Sequence, residues 1–187
     1  AQRIFANSNS FSMLAIPAFM LAGDVMSKGG LSKRLVAFAD SLVGWISGGI
    51  SLVSIVACTF FAAISGSSVA TTAAIGGLMY PEMVKRGYPE SYAAAVQAIG
   101  GTLGIVIPPS IVLVIYGNIT GTDVGALLMA GILPGVVCSI FLCIYAYYKA
   151  KKCGFPKSDK FSFKRFLVSF KDAVWALVMP VIILGGI

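Results

Sequence analysis

The sequence contains no histidine and only 7 acidic residues among 187, so it lacks most side chains that enzymes use for proton transfer. It has no Walker phosphate loop, and no serine has a base nearby in sequence, so neither ATP hydrolysis nor serine-type catalysis is predicted. The cysteines form no Cys-x-x-Cys pair. Three of the four lie in apolar runs, which favours small buried side chains over a metal or redox site (Cys58, Cys138, Cys143, Cys153). We do not expect an enzyme.

Charge is also scarce: 11% of the residues are charged and 58% are hydrophobic, with a mean hydropathy of +0.91. Soluble domains carry about a quarter charged residues, so the composition predicts an all-α polytopic membrane protein in a lipid bilayer. The net charge of +7 would also suit nucleic acid. Because the basic residues cluster between apolar spans, we favour loops on the inner side of a membrane and expect no nucleic-acid partner.

The two ends look like cuts within a longer chain. The sequence starts without methionine or signal peptide and stops inside an apolar run at residues 184–187. We therefore expect a fragment whose function is shared with missing helices.

The most informative segment is 49–80, where two apolar half-helices meet at the polar sequence Ser65-Gly66-Ser67-Ser68. The first arm, 49–64, has 16 residues and spans ~24 Å, less than a hydrocarbon core of about 30 Å. Two short, glycine-interrupted arms predict a re-entrant hairpin with its tip near the midplane. Irregular backbone at that depth is tolerated where it lines a cavity or is buried in protein.

A second break is predicted within 92–118. The helical run from Tyr92 stops at Pro108-Pro109-Ser110, and a short helix resumes at Ile111. Since each proline removes an N–H donor, both cannot sit in a regular helix. We predict a discontinuous helix; a plain proline kink is the alternative.

The other segments complete the predicted topology. Residues 12–26 form the end of a span kinked at Pro17, and 31–46 form an amphipathic helix at the membrane interface. A polar loop is predicted at 81–91, a span at 124–148, a basic loop at 149–165 and a last span at 166–187. The basic clusters share one side only if 49–80 enters and returns, which places the turn 120–123 outside.

The tip groups suit both a cation and an anion. The first half-helix ends there with unpaired carbonyls, and the second begins there with free N–H groups. We predict a sodium site at Ser65, Gly66, Ser67 and Ser68, completed by the second break at Ile107, Pro108 and Ser110. A carboxylate is predicted to bind Ser67, Ser68, Thr71 and Thr72. The alternative is that these hydroxyls only pack helices together.

Other polar or small residues remain open. Asp24 is a candidate functional carboxylate, but it is close enough to Lys28 to form an interfacial ion pair. Three Gly-x-x-x-Gly pairs predict close helix contacts (Gly100/Gly104, Gly117/Gly121, Gly131/Gly135).

The chain resembles the large membrane subunit, of the DctM type, of tripartite ATP-independent periplasmic (TRAP) transporters. The resemblance rests on Ile64-Ser65-Gly66-Ser67-Ser68, on Ile107-Pro108-Pro109-Ser110, and on the segments 14–26, Gly87-Tyr88 and 130–135. It departs slightly at Asp24, which is often Glu in the family. No residue indicates which carboxylate would be carried.

The resemblance implies a sodium-coupled secondary carrier of the bacterial inner membrane with an inverted repeat and an elevator motion. The implied partners are a small four-helix membrane subunit and a periplasmic substrate-binding protein, and the implied substrates are dicarboxylates, sialic acid or other sugar acids. The implied units are 1–48 as scaffold end and interfacial arm, 49–118 as half of the transport domain, and 119–187 as scaffold spans. A stand-alone divalent-anion and sodium symporter, and a channel or structural subunit, remain as alternatives.

Overall fold

The structure is a computed structural model that describes residues 29–155 and 163–186, together with Pro17, Leu21 and Val25, which are helical. The rest of the predicted kinked span, with Asp24 and Lys28, lies outside the described residues. In chain order the α-helices of the described part beyond residue 29 are α1 (Leu31–Val43), α2 (Gly49–Ser65), α3 (Ser68–Thr71), α4 (Gly77–Lys85), α5 (Glu90–Val106), α6 (Ile111–Thr120), α7 (Val124–Cys153) and α8 (Phe163–Gly186). A π-helical turn, Thr72–Gly76, joins α3 to α4.

The predicted hairpin is confirmed as two helical arms. The first arm is α2, and the second is the continuous helical stretch from Ser68 to Lys85. The second arm folds back along the first, and α5 packs against both. The largest fully buried side chains lie mainly in this group of helices, with Leu35 of α1 among them (Leu35, Phe61, Ile64, Ile75, Met83, Leu103). The core therefore holds the hairpin against the helix that follows it.

A buried amide ties the two arms together away from the tip. Gln97 of α5 accepts a hydrogen bond from the Ser54 hydroxyl at 2.8 Å, and its Nε2 donates to Met83 Sδ at 3.3 Å. Ser54 belongs to the first arm and Met83 to the second, while Gln97 itself is 4% exposed. Because a buried amide without partners is costly, these bonds fix the spacing of all three segments.

The amphipathic helix predicted before the hairpin is confirmed as α1. Leu35 and Phe38 are buried, whereas Lys33 and Arg34 are exposed. The Phe38 ring lies 5.5 Å from Phe60 of α2, and it also contacts rings of α8 (Phe166, Phe170). The helix ends at Val43, three residues earlier than predicted, since the glycines that follow favour a turn.

Two predicted loops prove shorter in the structure. Of the loop predicted at 81–91, only Arg86–Pro89 is non-helical, because α4 continues through Pro81 to Lys85 and α5 begins at Glu90. Of the basic loop predicted at 149–165, residues 149–153 belong to α7 and 163–165 to α8, while 156–162 lie outside the described residues. Pro81 fits because the carbonyl opposite its ring belongs to Gly77, next to the π-helical turn.

The loop at the base of the hairpin is closed by aromatic rings. Phe155, just after α7, lies 4.2 Å from the Tyr88 ring and 5.3 Å from the Tyr92 ring. Tyr88 is 3% exposed, and this burial raises the pKa of its phenol above the ordinary value. The ring contacts join the end of α7 to the hairpin base.

Length and composition identify the membrane-crossing candidates. In the described part, the interrupted stretch Glu90–Thr120 and the helix Val124–Cys153 are long and apolar enough to cross a bilayer, and Gly49–Ser65 is apolar but shorter. A short first arm beside two full-length spans agrees with the predicted pattern of one re-entrant segment and two crossings.

Candidate functional site

The chain reverses at the tip in two residues. Helix α2 ends at Ser65; Gly66 has φ 61°, and Ser67 has the extended values φ −133° and ψ 127°. The Gly66 N–H donates to Ala62 O at 3.0 Å, which closes the last turn of the helix. Glycine adopts this left-handed conformation without a Cβ penalty, so its position allows α2 to stop and α3 to begin at once.

Two tip hydroxyls brace the turn from inside. Ser65 Oγ and Thr71 Oγ1 are 2.9 Å apart, and the Thr71 hydroxyl donates to Ser67 O at 2.8 Å. Ser65 is 2% exposed and Thr71 is fully buried. Both hydroxyls make their hydrogen bonds within the tip, so they hold the turn in shape.

Two other tip residues line an open groove of about 500 Å³, together with residues of the π-helical turn and α5 (Ser68, Val69, Thr72, Ala73, Ala98, Thr102). The Thr72 hydroxyl donates to Ser68 O at 2.9 Å. Within the described residues, the Ser68 hydroxyl has no hydrogen-bond partner, and it is only partly buried. Ser68 is therefore the predicted site residue with the most unused hydrogen-bonding capacity.

The second predicted break is present between α5 and α6. The helical backbone stops at Val106 and resumes at Ile111. Ser110, fully buried, donates to Ile105 O at 2.8 Å and accepts from Leu113 N–H at 3.4 Å. This hydroxyl caps both helix ends across the break, so Ser110 stabilises the interruption itself.

The two breaks meet through their backbones. The Ile111 N–H donates to Gly66 O at 3.2 Å, although 45 positions separate the two residues. A Cβ at Gly66 would overlap Pro109 O. The structure thus brings Ser65–Ser68 and Pro108–Ser110 together, as the sequence predicted. The Ile107 side chain packs against Gly135 of α7, and its backbone carbonyl, the group expected to bind sodium, stays a prediction.

Sequence reasoning missed how α5 approaches the tip. A Cβ at Gly104 would lie 2.5 Å from Ser67 O and 2.9 Å from Ser68 N, and one at Gly101 would overlap the Thr72 hydroxyl. The pair Gly100/Gly104 was predicted to mark a helix contact, and Gly100 does face Cys58. Gly101 could have indicated this approach, because Gly101 and Gly104 lie three positions apart on one face of α5.

The other glycine pairs divide in the structure. Gly131 and Gly135 pack against the second break, at Val106 O and Ile107 respectively. Gly117 contacts the turn before α7, but Gly121 has no neighbour within 4 Å and ends α6 with φ 69°. The predicted helix contact is therefore confirmed for both Gly131 and Gly135. In the other pair it is confirmed for Gly117 and not for Gly121.

The unused groups at the tip are neutral. The last carbonyls of α2, at residues 63–65, and the first N–H groups of the second arm, at Ser68 and Val69, have no backbone partner in the described part of the chain. Nor does that part contain a group of three or more His, Cys, Asp and Glu side chains. Neutral oxygens suit a hard monovalent cation, and free N–H groups suit an anion.

Comparison with known families assigns the chain to a family. The family described as "Tripartite ATP-independent periplasmic transporter, DctM component" matches residues 1–187. The chain belongs to this family. The match confirms the resemblance seen in the sequence. DctM components are membrane-embedded permeases that normally work with a small permease subunit and a substrate-binding protein.

Several curated DctM relatives are similar over the whole chain. It is 46% identical to the C4-dicarboxylate TRAP transporter large permease protein DctM of Vibrio cholerae and 43% identical to that of Pseudomonas aeruginosa, covering 42% and 44% of their lengths. It is also 46% identical to the isethionate TRAP transporter permease protein DctMQ of Oleidesulfovibrio alaskensis, covering 30% of its length. The chain thus spans less than half of the relatives it matches.

Proposed function

We propose that this chain is part of the large permease subunit of a sodium-coupled carrier for a small organic anion. The observation that carries the proposal is the backbone hydrogen bond between Gly66 and Ile111, which joins two broken helices. Broken helices that meet inside a membrane protein concentrate unpaired backbone groups where ions can use them. The carrier is a secondary transporter with an elevator motion and an inverted repeat, and not an enzyme.

The sodium ion is assigned to neutral oxygens of the tip. The donors are the Ser68 hydroxyl and the last carbonyls of α2, with the Pro108–Ser110 break alongside. Ser65, Gly66 and Ser67 fix the shape of this region, and the backbone carbonyl of Ile107 at the second break is proposed as a further oxygen ligand. This set matches the oxygen chemistry of a hard cation.

The anion is assigned to the groove beside Ser68 and Thr72, where the second arm starts. The free N–H groups of Ser68 and Val69 and the positive end of the helix dipole favour a negative group there. Thr102 of α5 lines the same groove. A carboxylate was expected from the resemblance. Because one relative is named for isethionate, a sulfonate, the proposed class covers both kinds of anion.

Removing the Ser68 hydroxyl is expected to weaken sodium coupling. The Ser68→Ala variant of the full-length permease should raise the sodium concentration for half-maximal uptake by about 5- to 150-fold, since a lost ligand or hydrogen bond to a charged group costs about 1–3 kcal/mol. Ser65→Ala should have a similar effect together with a lower melting temperature, because it removes the inner brace. Uptake in proteoliposomes at graded sodium concentration measures the first effect, and thermal unfolding measures the second.

Ser91→Ala is the matched control, since Ser91 is exposed near the start of α5 and lies outside the tip. It should leave sodium dependence unchanged. Unaltered sodium dependence in both tip variants, with normal folding, would remove these hydroxyls from the site. Uptake that needs no binding protein would instead favour the stand-alone divalent-anion symporter.

The carrier is proposed to lie in the bacterial inner membrane as a multi-pass protein, with the turn 120–123 outside and the basic segments inside. Single cysteines at Thr122 and Lys152, both exposed, should then react with impermeant thiol reagents from opposite sides. Labelling of intact cells and of inverted vesicles, in a background without native cysteines, measures this. If both positions react from the same side, the topology is refuted.

The moving unit is proposed to include 49–118, because Gln97, Gly101 and Gly104 fasten both hairpin arms to α5. Helix α7 touches this unit at several points along its length. The Thr59 hydroxyl contacts Ser139 at 3.1 Å, and Ile107 packs on Gly135. If the unit moves relative to α7, these contacts must therefore break.

A further inference from the structure

A furrow runs along one side of α7, away from the tip. One part, of about 510 Å³, is lined by residues around the end of α1, the start of α2 and α7 (Val43, Trp45, Ile46, Leu52, Cys143, Ile144, Tyr147). A second part, of about 330 Å³, is lined by Val56, Thr59, Val136, Ser139, Ile140, Cys143 and Ile144. The two share Cys143 and Ile144, so they form one continuous furrow between α2 and α7.

The floor of the furrow offers no free hydrogen bond. The hydroxyls of Thr59 and Ser139 contact each other at 3.1 Å, and they donate to the carbonyls of Ile55 and Gly135 at 2.9 Å. The third hydroxyl of the lining, the Tyr147 phenol, belongs to the part of the furrow near Trp45. The remaining lining groups are chiefly apolar side chains. The part of the furrow from Val136 to Ile144 therefore suits hydrocarbon, because a polar group there would lose its water without gaining a partner.

The length of the furrow matches one leaflet of a bilayer. From Val136 to Tyr147 the helix rises ~17 Å, slightly more than half of a hydrocarbon core of about 30 Å. A single acyl chain from one leaflet is of this length. The whole furrow lies on a chain whose family is membrane-embedded, so lipid is available along it.

The open end of the furrow is marked by interfacial and basic side chains. Trp45 is 48% exposed, and its indole N–H is held by Leu42 O at 2.9 Å. Exposed Lys151 lies one turn beyond Tyr147 on the same face of α7. Tryptophan favours the headgroup level, and lysine attracts anionic headgroups.

We propose that this furrow binds one phospholipid with an anionic headgroup, its acyl chain against Cys143 and Ile144 and its headgroup at Lys151. The acyl chain of the lipid fills the space between the first hairpin arm and α7. A lipid so placed touches the proposed moving unit and its neighbour at once.

The test is photocross-linking in the full-length permease with its small subunit, reconstituted in liposomes. A phosphatidylglycerol carrying a diazirine in its acyl chain is added at low mole fraction, and labelled peptides are mapped by mass spectrometry. Ile144 and Tyr147 should be labelled in excess and saturably. Leu133 and Phe141 of α7 are more exposed, at 72% and 65%, and serve as internal controls for bulk lipid.

Two pairs of variants sharpen the result. Cys143→Phe fills the furrow and should abolish labelling there while leaving Leu133 labelled; Cys138→Phe, at an exposed position, should change neither. Lys151→Glu should reduce the preference for phosphatidylglycerol over phosphatidylcholine about fivefold or more, whereas Lys152→Glu, on another face, should not.

Lys151 is exposed, so its variant keeps the test valid even if the Cys143 variant fails to assemble. Labelling that merely follows exposure, with Leu133 and Phe141 marked as strongly as Ile144, would overturn the proposal. A furrow that stays unlabelled in the assembled complex would overturn it too, since protein would then occupy the space. Neither result bears on the sodium dependence of transport.

Discussion

Gly66→Ala is expected to reduce uptake by the full-length permease on the order of 100-fold. Alanine at φ 61° costs about 1–2 kcal/mol, and its Cβ would overlap Pro109 O at the second break. Relieving that overlap must move backbone on both sides, which adds about 1–3 kcal/mol. The hydrogen bond from Ile111 N–H to Gly66 O would lengthen or break, and the unpaired groups of the two breaks would separate. Initial uptake rates in proteoliposomes at saturating sodium measure the loss.

Gly121→Ala separates the two causes. Gly121 has a similar φ of 69°, but an added Cβ would meet nothing within 4 Å. This control bears only the backbone cost and should retain uptake within about tenfold of the unmodified protein. Equal losses in both variants would assign the effect to general destabilisation. Normal uptake by Gly66→Ala would show that the close contact between the two helix breaks is not needed for transport.

The second large effect is expected at Gly104. An added Cβ would lie 2.5 Å from Ser67 O and 2.7 Å from Ser67 C, and backbone at a tight turn cannot rotate aside. Gly104→Ala should therefore lower the melting temperature and reduce uptake, through an overpacking cost of about 1–3 kcal/mol or more. Gly101→Ala should have a smaller effect, because its nearest neighbour is the Thr72 side chain, which can move at the cost of its bond to Ser68 O.

Gly77→Ala is the control for this pair. Gly77 is helical and exposed, with nothing within 4 Å of an added Cβ, so alanine should be neutral or gain up to about 1 kcal/mol of helix propensity. Thermal unfolding and uptake, measured on all three variants, should rank them in the order Gly104, Gly101, Gly77 by severity. A Gly104 variant as stable and active as the Gly77 variant would contradict the close approach of α5 to the tip.

The sequence was sufficient to predict where the helices break. Gly66 between serines, and two consecutive prolines, disrupt helical hydrogen bonding whatever surrounds them, so both interruptions were predictable from local chemistry. That these breaks meet was predicted as part of the sodium site, but neither break by itself shows it. The contact depends on Ile111 donating to Gly66 across 45 positions, and no local pattern reports such a pairing.

Side-chain roles within the tip were harder to predict. Ser65, Ser67, Ser68 and Thr71 look equivalent in sequence, yet Ser65 and Thr71 turn inward and bond each other, while Ser68 faces the groove. Helix ends were also misjudged. Lysines after residue 148 suggested a loop, but Lys149, Lys151 and Lys152 continue α7, since lysine is a good helix former.

The contact between the two breaks has a consequence for how such a protein can diversify. The Gly66–Ile111 bond joins a carbonyl to an amide, so it does not depend on what side chain residue 111 bears. Ala98 and Thr102 of α5 line the neighbouring groove but take no part in this hydrogen bond. Exchanging Ala98 or Thr102 would alter the shape and polarity of the groove, yet leave the hydrogen bond between Gly66 and Ile111 in place. On the proposed function, anion selectivity can therefore be re-engineered at α5 while the contact that joins the two breaks is retained.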